Sequence, residues 1–246
     1  MIKKEAILFA KTLVAALLCA ALIRSFFFEP FYIPSGSMKP NLLIGDYVIV
    51  TKYSYGYSRY SFPFGFNFFS GRIFAKSEEQ KPQRGDIAVF RFPRDTSVNY
   101  IKRVIGLPGD AIQMREGTLY INDKKVEKIA DDKFYDEQDD GLAINIDKFL
   151  ETMPDGKKIT TLDLYKDAPQ DNTGIYEVPE GHYFMMGDNR DNSQDSRFLE
   201  QVGFVPEENF VGKARFIFLS TAKPIWQIWN WPQSIRFNRI SKNLNQ

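Results

Sequence analysis

The sequence predicts an all-β domain behind one N-terminal transmembrane helix. Short runs rich in β-branched and aromatic residues recur along the chain, and turns containing Gly, Pro and Asp separate them. The one sustained apolar segment, Ala6–Ile23, lies near the N-terminus. Beyond this segment the sequence has no sustained amphipathic helical pattern, so we expect strands to form the core.

The N-terminal segment is interpreted as a retained membrane anchor. The stretch Ala6–Phe28 reaches the about 20 residues that span a bilayer, with Arg24 near its outer end. A cleavable signal peptide has an apolar core of about 7–15 residues, and Leu18-Cys19-Ala20-Ala21 fits its cleavage site only loosely. Lys3 and Lys4 place the N-terminus in the cytoplasm. We therefore expect a single-pass protein of the cytoplasmic (inner) membrane whose remaining domain is extracytoplasmic or periplasmic.

The rest of the chain divides by composition into a β-rich domain and an insertion. We expect residues 1–28 to form the anchor, and residues 29–129 and 178–246 to form the β-rich domain. Residues 130–177 are more polar, with weak periodicity, and are expected to form an inserted β or irregular subdomain on the surface. The clearest strand signals are Leu42–Lys52, Asp86–Phe92, Tyr100–Ile105, Ala111–Met114, Thr118–Ile121, Lys125–Ile129, His182–Met186 and Val211–Leu219.

Two aromatic stretches each have two interpretations. Tyr53–Gln83 is irregular and contains Phe64, Phe66, Phe68 and Phe69 among others, which fits either a long loop or a flap that touches the membrane. The tail residues Trp226, Trp229 and Trp231 fit either core packing or an interfacial anchor.

Composition excludes several classes of function. The net charge of +1 leaves no large positive field for nucleic acid. The chain has one cysteine, Cys19, and one histidine, His182. A disulfide framework, a cysteine-based metal site and a multi-histidine metal site are therefore ruled out. We expect neither a metal nor an organic cofactor.

The turn Pro34-Ser35-Gly36-Ser37-Met38 is the candidate for nucleophilic chemistry. A serine becomes a nucleophile only when a nearby base removes its proton. His182 is one candidate base because the unperturbed pKa of histidine suits the task. Its surroundings, Glu180-Gly181-His182, contain no recognisable orienting carboxylate motif.

A lysine is the other candidate base. With a pKa of about 10.4, only about 0.1% of an ordinary lysine is neutral near pH 7.5, so the base needs apolar surroundings that lower its pKa by about 3 units. Lys102 lies in the apolar run Tyr100–Gly106, whereas Lys39 follows the serine turn, precedes Pro40 and is expected to stay solvated. Pro40 also occupies the position of the lysine in an S-x-x-K motif. On the residues alone, His182 and Lys102 both remain candidates.

Four segments resemble the sequence boxes of the bacterial type I signal peptidases, also called leader peptidases. They follow the apolar segment in the order of that family. The segments are Phe31–Met38, Arg84–Ile87, Tyr100–Asp110 and Gly187–Arg197. The resemblance implies a membrane-anchored serine endopeptidase with a Ser-Lys dyad. Its expected partners are the signal peptides of exported preproteins, the lipid bilayer and the secretion translocon.

The resemblance also implies roles for individual residues. Ser37 is expected to be the nucleophile and Lys102 the general base. Ser35 is expected to donate its hydroxyl to the oxyanion, together with the backbone N–H of Ser37, and Ser193 to hydrogen-bond and orient Lys102. Asp195 and Arg197 are expected to form a structural ion pair that supports the site.

Substrate choice is the last property that the resemblance implies. Members of the family cut exported preproteins after small residues at positions −1 and −3, the Ala-X-Ala rule. We expect shallow apolar pockets for these residues, although each lining residue also fits ordinary core packing. The expected lining residues are Phe31, Ile33, Leu42, Tyr100 and Ile101.

Two other functions remain as alternatives. One is a Ser-Lys peptidase of the self-cleaving repressor type, against which the anchor and the lack of a helix-turn-helix pattern argue. The other is a membrane-tethered β-domain that binds without catalysis. The lysine at position 39, where the family has an apolar residue, is a departure from the pattern.

Overall fold

An N-terminal helix and a set of antiparallel sheets make up the protein in a computed structural model, which describes residues 2–62, 71–73, 77, 80–137 and 143–244. The predicted all-β fold behind one N-terminal helix is confirmed. Phe64, Phe66, Phe68 and Phe69 lie outside the described residues, as do residues 138–142 of the polar stretch 130–177.

Helix α1 (Ile2–Phe26) is long and apolar enough to cross a membrane. Its part Lys4–Phe26 has a mean hydropathy of 2.4, and none of its apolar window is buried against the rest of the chain. Twenty-three helical residues extend about 35 Å, which exceeds the about 30 Å of a bilayer's hydrocarbon core. It is the one helix of this kind in the described residues.

The described strands are short, and nearly all strand signals in the sequence have a counterpart among them. A short helix, α2 (Trp231–Ser234), follows the last strand. The strands are β1 (Phe28–Tyr32), β2 (Asp46–Thr51), β3 (Tyr57–Ser58), β4 (Arg72–Ile73), β5 (Ile87–Phe92), β6 (Asp95–Gly106), β7 (Ala111–Arg115), β8 (Thr118–Ile121), β9 (Lys124–Lys125), β10 (Glu127–Ala130), β11 (Phe134–Glu137), β12 (Ala143–Thr152), β13 (Lys158–Asp163), β14 (Tyr176–Glu177), β15 (His182–Met186), β16 (Val205–Pro206) and β17 (Phe210–Ser220).

The largest sheet positions the proposed nucleophile and the lysine candidate for its base: Lys102 lies on β6, and Ser37 lies in the turn between β1 and β2. It has seven antiparallel strands in the order β1-β2-β17-β5-β6-β15-β16. Strand β17, late in the chain, lies between β2 and β5 and so joins the N-terminal hairpin to the β5–β6 hairpin. Its alternating Phe, Ile and Ala residues suit a pleated sheet in which one face is buried.

Two smaller sheets lie outside the main one. One has the order β14-β7-β8-β9, and the other has β12 at its centre with β10, β11 and β13 as partners. Strands β11, β12 and β13 of the second sheet lie in the stretch 130–177, so that stretch contains regular strands despite its weak periodicity in sequence. Its division from the rest as a separate subdomain stays a prediction.

The junction between α1 and the sheet is held by ion pairs. The carboxylate of Glu29 on β1 accepts from Arg24 at 2.7 Å and lies 2.8 Å from the ammonium of Lys52. Lys52 is buried and also donates to the carbonyl of Ser61 at 2.5 Å. The hydroxyl of Tyr57 donates to the last helical carbonyl, that of Phe26, at 2.7 Å. These contacts attach the helix end to the β-rich part of the chain.

Candidate active site

The turn that carries Ser37 is fixed by buried residues on both sides. Ile33, Met38 and Leu42 are 1%, 0% and 0% exposed and belong to one core cluster. The backbone N–H of Lys39 donates to the carbonyl of Gly36 at 3.1 Å, and that of Leu42 donates to Met38 at 2.8 Å. Because three anchors are embedded in the core, the short turn between them has little freedom to move.

Lys102 lies beside Ser37 at the centre of the sheet. Strand β6 carries it between β5 and β15, and its Nζ lies 2.6 Å from the Oγ of Ser37. Both side chains are buried. This is hydrogen-bonding distance, as a proton transfer requires.

The environment of Lys102 lowers its pKa from 10.5 to about 8. Burial is the main cause, since it penalises the ammonium form. The negative charges of Asp195 and Asp188 oppose this effect, and the positive charge of Arg197 adds to it. The Nζ also lies 5.5 Å from the centre of the Tyr100 ring. The apolar strand identified in the sequence thus supplies the burial that a lysine base needs.

Ser35 and Ser193 occupy different environments around this pair. Ser35 is exposed, and its Oγ lies 3.4 Å from that of Ser37, the outer limit of a hydrogen bond. Ser193 is buried, and its Oγ has no hydrogen-bond partner among the described residues. It lies near enough to Asp195 to contribute to lowering the pKa of that carboxyl. The structure therefore places Ser193 in the site without the expected hydrogen bond to Lys102.

Gly187 is a site residue to which the sequence analysis gave no role. A Cβ at this position would lie 2.2 Å from the Oγ of Ser193 and 2.6 Å from the carbonyl oxygen of Ser37. Any side chain here would therefore displace the nucleophile turn or Ser193. The available signal was a glycine directly after an apolar strand, at the start of the Gly187–Arg197 box.

Asp195 and Arg197 form a buried ion pair. The Nε and Nη2 of Arg197 lie 2.9 Å from the two carboxylate oxygens, and the backbone N–H of Gly187 donates to the same carboxylate at 3.0 Å. Arg197 also donates to the carbonyl of Arg190 at 2.5 Å. This pair is hydrogen-bonded to the backbone of Gly187 and Arg190, and the charge of Asp195 raises the pKa of Lys102 against the effect of burial.

Asp188 and Asn189 complete the support of the turn and had no predicted role. Asp188 accepts two hydrogen bonds of 2.7 Å from Arg103, the neighbour of Lys102 on β6. The backbone N–H of Asn189 donates to the carbonyl of Ser37 at 3.1 Å, and its side chain donates to the carbonyl of Gly36 at 3.1 Å. Both residues lie within the box that carried the resemblance, so their position in the sequence was a signal.

The five expected pocket residues divide into two groups. Ile33 and Leu42 are fully buried and belong to the core, which was the alternative interpretation. Phe31 and Ile101 are half-buried and pack against that same cluster. Tyr100 is half-buried, stacks on Phe92 at 4.8 Å and donates its hydroxyl to Gln194 at 3.2 Å. Only the half-buried residues have surface to offer a substrate.

His182 is engaged elsewhere. It lies at the start of β15, opposite Pro206, and its Nδ1 is 2.9 Å from the carbonyl of Glu180. Within the described part of the chain, the hydrogen-bond partners of the Ser37 hydroxyl are Lys102 and Ser35.

The expectation that Lys39 is solvated is wrong. Its side chain is 12% exposed, and its ammonium lies 2.6 Å and 2.7 Å from the two oxygens of Asp136. Strand β11 brings this carboxylate over the turn. The sequence gives no sign of it, because the two residues are 97 positions apart.

One cluster of carboxylates has a donor set that suits a hard cation. Ligand oxygens of Asp163, Asp171 and Asp191 lie within 4.8 Å of one another. The ammonium of Lys128 lies 2.6 Å from Asp163 and already supplies a positive charge there. Burial raises the pKa of Asp171, and the charges of Asp163 and Asp191 add to this effect. We assign no metal to this cluster.

The geometry around Ser37 defines a class of enzyme. A serine hydroxyl lies against a buried lysine amine whose pKa is low enough to leave part of it neutral. Serine peptidases with a lysine base use this arrangement.

Comparison with known proteins shows the family. The model of the family described as "Signal peptidase, peptidase S26" matches residues 6–219, and the chain belongs to this family. A signal peptidase I of Rickettsia typhi is 48% identical over 251 residues, which cover 92% of this chain and 90% of the relative. The signal peptidase I of Rickettsia felis is 47% identical over 254 residues, which cover 94% and 90%. The suspected resemblance is confirmed.

A solved structure is also similar. The crystal structure of a signal peptidase I from Enterococcus faecalis V583 is 30% identical, covers 54% of this chain and 96% of its own, and has a TM-score of 0.31. Family membership makes the chain a serine peptidase that removes signal peptides from preproteins.

Proposed function

We propose that Ser37 and Lys102 form the catalytic dyad of this peptidase. The observation that carries the proposal is the 2.6 Å contact between Ser37 Oγ and a buried lysine with a pKa of about 8. A lysine of this pKa is partly neutral at physiological pH, whereas an ordinary lysine is not. It is therefore able to accept a proton from the hydroxyl beside it.

The proposed reaction proceeds in two halves. Neutral Lys102 takes the proton of Ser37 as Oγ attacks the scissile carbonyl carbon, and a tetrahedral oxyanion forms. The ammonium then gives this proton to the leaving amine as the C–N bond breaks, which leaves an acyl-enzyme. Water attacks the ester while Lys102 takes a proton from it. That proton returns to Ser37 when the acid product leaves.

The supporting roles follow from position. Ser35 Oγ, 3.4 Å from Ser37 Oγ, and the backbone N–H of Ser37 are the proposed oxyanion donors. Ser193 is the proposed hydrogen-bond partner of Lys102 during the cycle. Its buried hydroxyl meets no hydrogen-bond criterion within the described residues and lies close enough to the Asp195 carboxyl to help lower the pKa of that group. Asp195 and Arg197 hold the loop that contains Ser193.

The proposed specificity is cleavage after small residues at −1 and −3. Phe31, Tyr100 and Ile101 are the half-buried apolar side chains proposed as the pocket wall. Ile33 and Leu42 contribute as the core against which Phe31 and Ile101 pack. A wall that rests on a close-packed core cannot yield to a large substrate side chain.

We also propose that the chain is a single-pass protein with a cytoplasmic N-terminus and an extracytoplasmic catalytic site. Ser37 is thirteen residues from Arg24, so it stays near the outer surface of the bilayer. Trp226 and Trp229 are each 72% exposed, and Phe237 is 69% exposed. Large aromatic side chains favour the membrane–water interface, which supports lipid contact by this tail. The secretion translocon stays a predicted partner.

The test is cleavage of an Ala-X-Ala preprotein in detergent by Ser37→Ala and Lys102→Ala. Each variant should lose at least about 10³-fold in rate, because neither dyad member works alone. Lys124→Ala, which removes an exposed lysine on β9, is the matched control and should keep full activity. Circular dichroism checks the fold of each variant. Substantial activity in either folded dyad variant would overturn the proposal.

A further inference from the structure

The pair Lys39–Asp136 links the nucleophile turn to the 130–177 stretch. Lys39 is the second residue after Ser37, and its Nζ contacts both carboxylate oxygens of Asp136 at 2.6 Å and 2.7 Å. Each side chain is 12% exposed. Charge-assisted hydrogen bonds of this length, shielded from water, are stronger than surface ion pairs.

The side chain of Lys39 lies along the turn itself. A Cβ built at Gly36 would be 3.1 Å from Cε and 3.3 Å from Cδ of Lys39. The lysine stem therefore covers the residue between Ser35 and Ser37, and Asp136 holds the end of that stem. A displacement of Lys39 would free the turn that carries the proposed nucleophile and oxyanion donor.

The strand that presents Asp136 is itself anchored to the site. Asp136 on β11 pairs with Ile144 on β12. Farther along β12, Glu151 is fully buried and makes two contacts of 2.6 Å with Arg190, which belongs to the Gly187–Arg197 box. Strand β12 therefore connects Arg190, through Glu151, to β11 and its Asp136. These contacts fix the position of the Asp136 carboxylate.

The backbone of the turn is held by Asn189, which is attached to the same small sheet. Asn189 donates to the carbonyls of Ser37 and Gly36, and its own position is set by a bridge to Leu162 on β13. Asn189 thus hydrogen-bonds to the backbone of the turn, whereas Asp136 contacts the turn through the side chain of Lys39. The strands that support these two contacts, β11 and β13, both pair with β12 in one small sheet.

We propose that Asp136 is a positioning residue for the nucleophile turn, acting through Lys39. This inference rests on the proposed role of Ser37. It gives a function to two features that the sequence left unexplained, the lysine at position 39 and the polar 130–177 stretch. Reacting groups must be held to about 0.5 Å, and a displacement of about 1 Å costs about 10²-fold in rate. Loss of the Lys39–Asp136 pair, the tether between the turn and β11, should therefore lower kcat.

The experiment measures kcat and KM on a soluble Ala-X-Ala peptide for the full chain in detergent. The variants are Asp136→Asn, Asp136→Glu, Lys39→Met and the double variant Lys39→Met/Asp136→Asn. We expect Asp136→Asn and Lys39→Met each to lower kcat about 10- to 100-fold, with KM within about threefold of the parent. Asp136→Glu should recover most of the rate. The double variant should be no worse than the poorer single variant, because both remove one tether.

The matched control is Asp147→Asn, which breaks the pair between Lys133 and Asp147, a residue of β12, the strand that pairs with β11. That pair is exposed, with side chains 47% and 57% accessible, so its loss should leave kcat unchanged. A folded Asp136→Asn variant with kcat within twofold of the parent would overturn the inference, as would additive losses in the double variant. If Asp136→Asn does not fold, Lys39→Met decides by the same criterion. Activity in Ser37→Ala, by contrast, would overturn the proposed function itself.

Discussion

The pH dependence of kcat/KM distinguishes the two candidate bases identified in the sequence. This ratio reports the ionisation of the free enzyme. The base must be neutral to accept a proton, so the rate should rise with pH as Lys102 deprotonates with a pKa of about 8. For an unperturbed histidine, the corresponding pKa is about 6.5.

The expected change follows from these two values. With a pKa of about 8, Lys102 is about 1% neutral at pH 6, about 24% at pH 7.5 and about 91% at pH 9. The rate should therefore rise about 25-fold from pH 6 to 7.5 and about fourfold more by pH 9. A histidine base of pKa about 6.5 would give about a fourfold rise and then a plateau.

The assay uses an Ala-X-Ala peptide without titratable side chains, at constant ionic strength, with the parent chain and His182→Gln. We expect the two profiles to coincide, because His182 hydrogen-bonds to Glu180 instead of contacting Ser37. A profile that levels off by pH 7.5, together with loss of its acidic limb in His182→Gln, would refute the assignment of Lys102 as the base.

Two further outcomes are expected. Glu29→Gln, which breaks the junction between α1 and the β-rich part, should slow cleavage of a membrane-inserted preprotein about fivefold, equivalent to about 1 kcal/mol, and leave a soluble peptide within about twofold. Lys128→Gln removes a similarly buried pair elsewhere and should change neither rate; equal losses on both substrates in Glu29→Gln would contradict an orienting role. Lys102→Met should raise the free energy of unfolding by about 2 kcal/mol at pH 7, since burial opposes the ammonium by about 3 kcal/mol and the lost hydrogen bond to Ser37 offsets about 1 kcal/mol. Because the folded pKa is the lower one, this gain should be full below pH 8 and shrink between pH 8 and 10.5; above that range the burial cost is gone, and the lost hydrogen bond leaves the variant about 1 kcal/mol less stable than the parent. Chemical denaturation across that range measures the change, and a gain that persists at pH 11 would contradict the burial argument.

A pairing of Ser37 with Lys102 could be proposed from the sequence because a lysine base must be buried, and Lys102 lies in an apolar strand within the Tyr100–Asp110 box. Helix α1 was equally accessible, since its apolar length is a local property. The apolar surroundings of Lys102 and the length of α1 are both local features of the sequence, whereas the contact between Lys102 and Ser37, 65 positions apart, is not.

The residues whose surroundings the sequence did not predict have partners far away in the chain. Lys39 in a polar turn has every local feature of a solvated lysine, and only the course of β11 supplies Asp136. Glu151 looked like one acidic residue among many, yet it is fully buried against Arg190. For Ser193 the resemblance predicted a position near Ser37, where the structure places it. It also predicted a hydrogen bond to Lys102, which the structure does not contain.

Strand β17 joins two hairpins that lie far apart in the sequence. Ser37 follows β1 and Lys102 lies on β6, and β17, residues Phe210–Ser220, separates β2 from β5 in the sheet. The 2.6 Å contact between Ser37 Oγ and Lys102 Nζ therefore forms across a sheet that is complete only when this late strand is in place. Pairing between distant parts of a chain is slow to form, so we expect a chain that ends before β17 to lack the proposed catalytic pair.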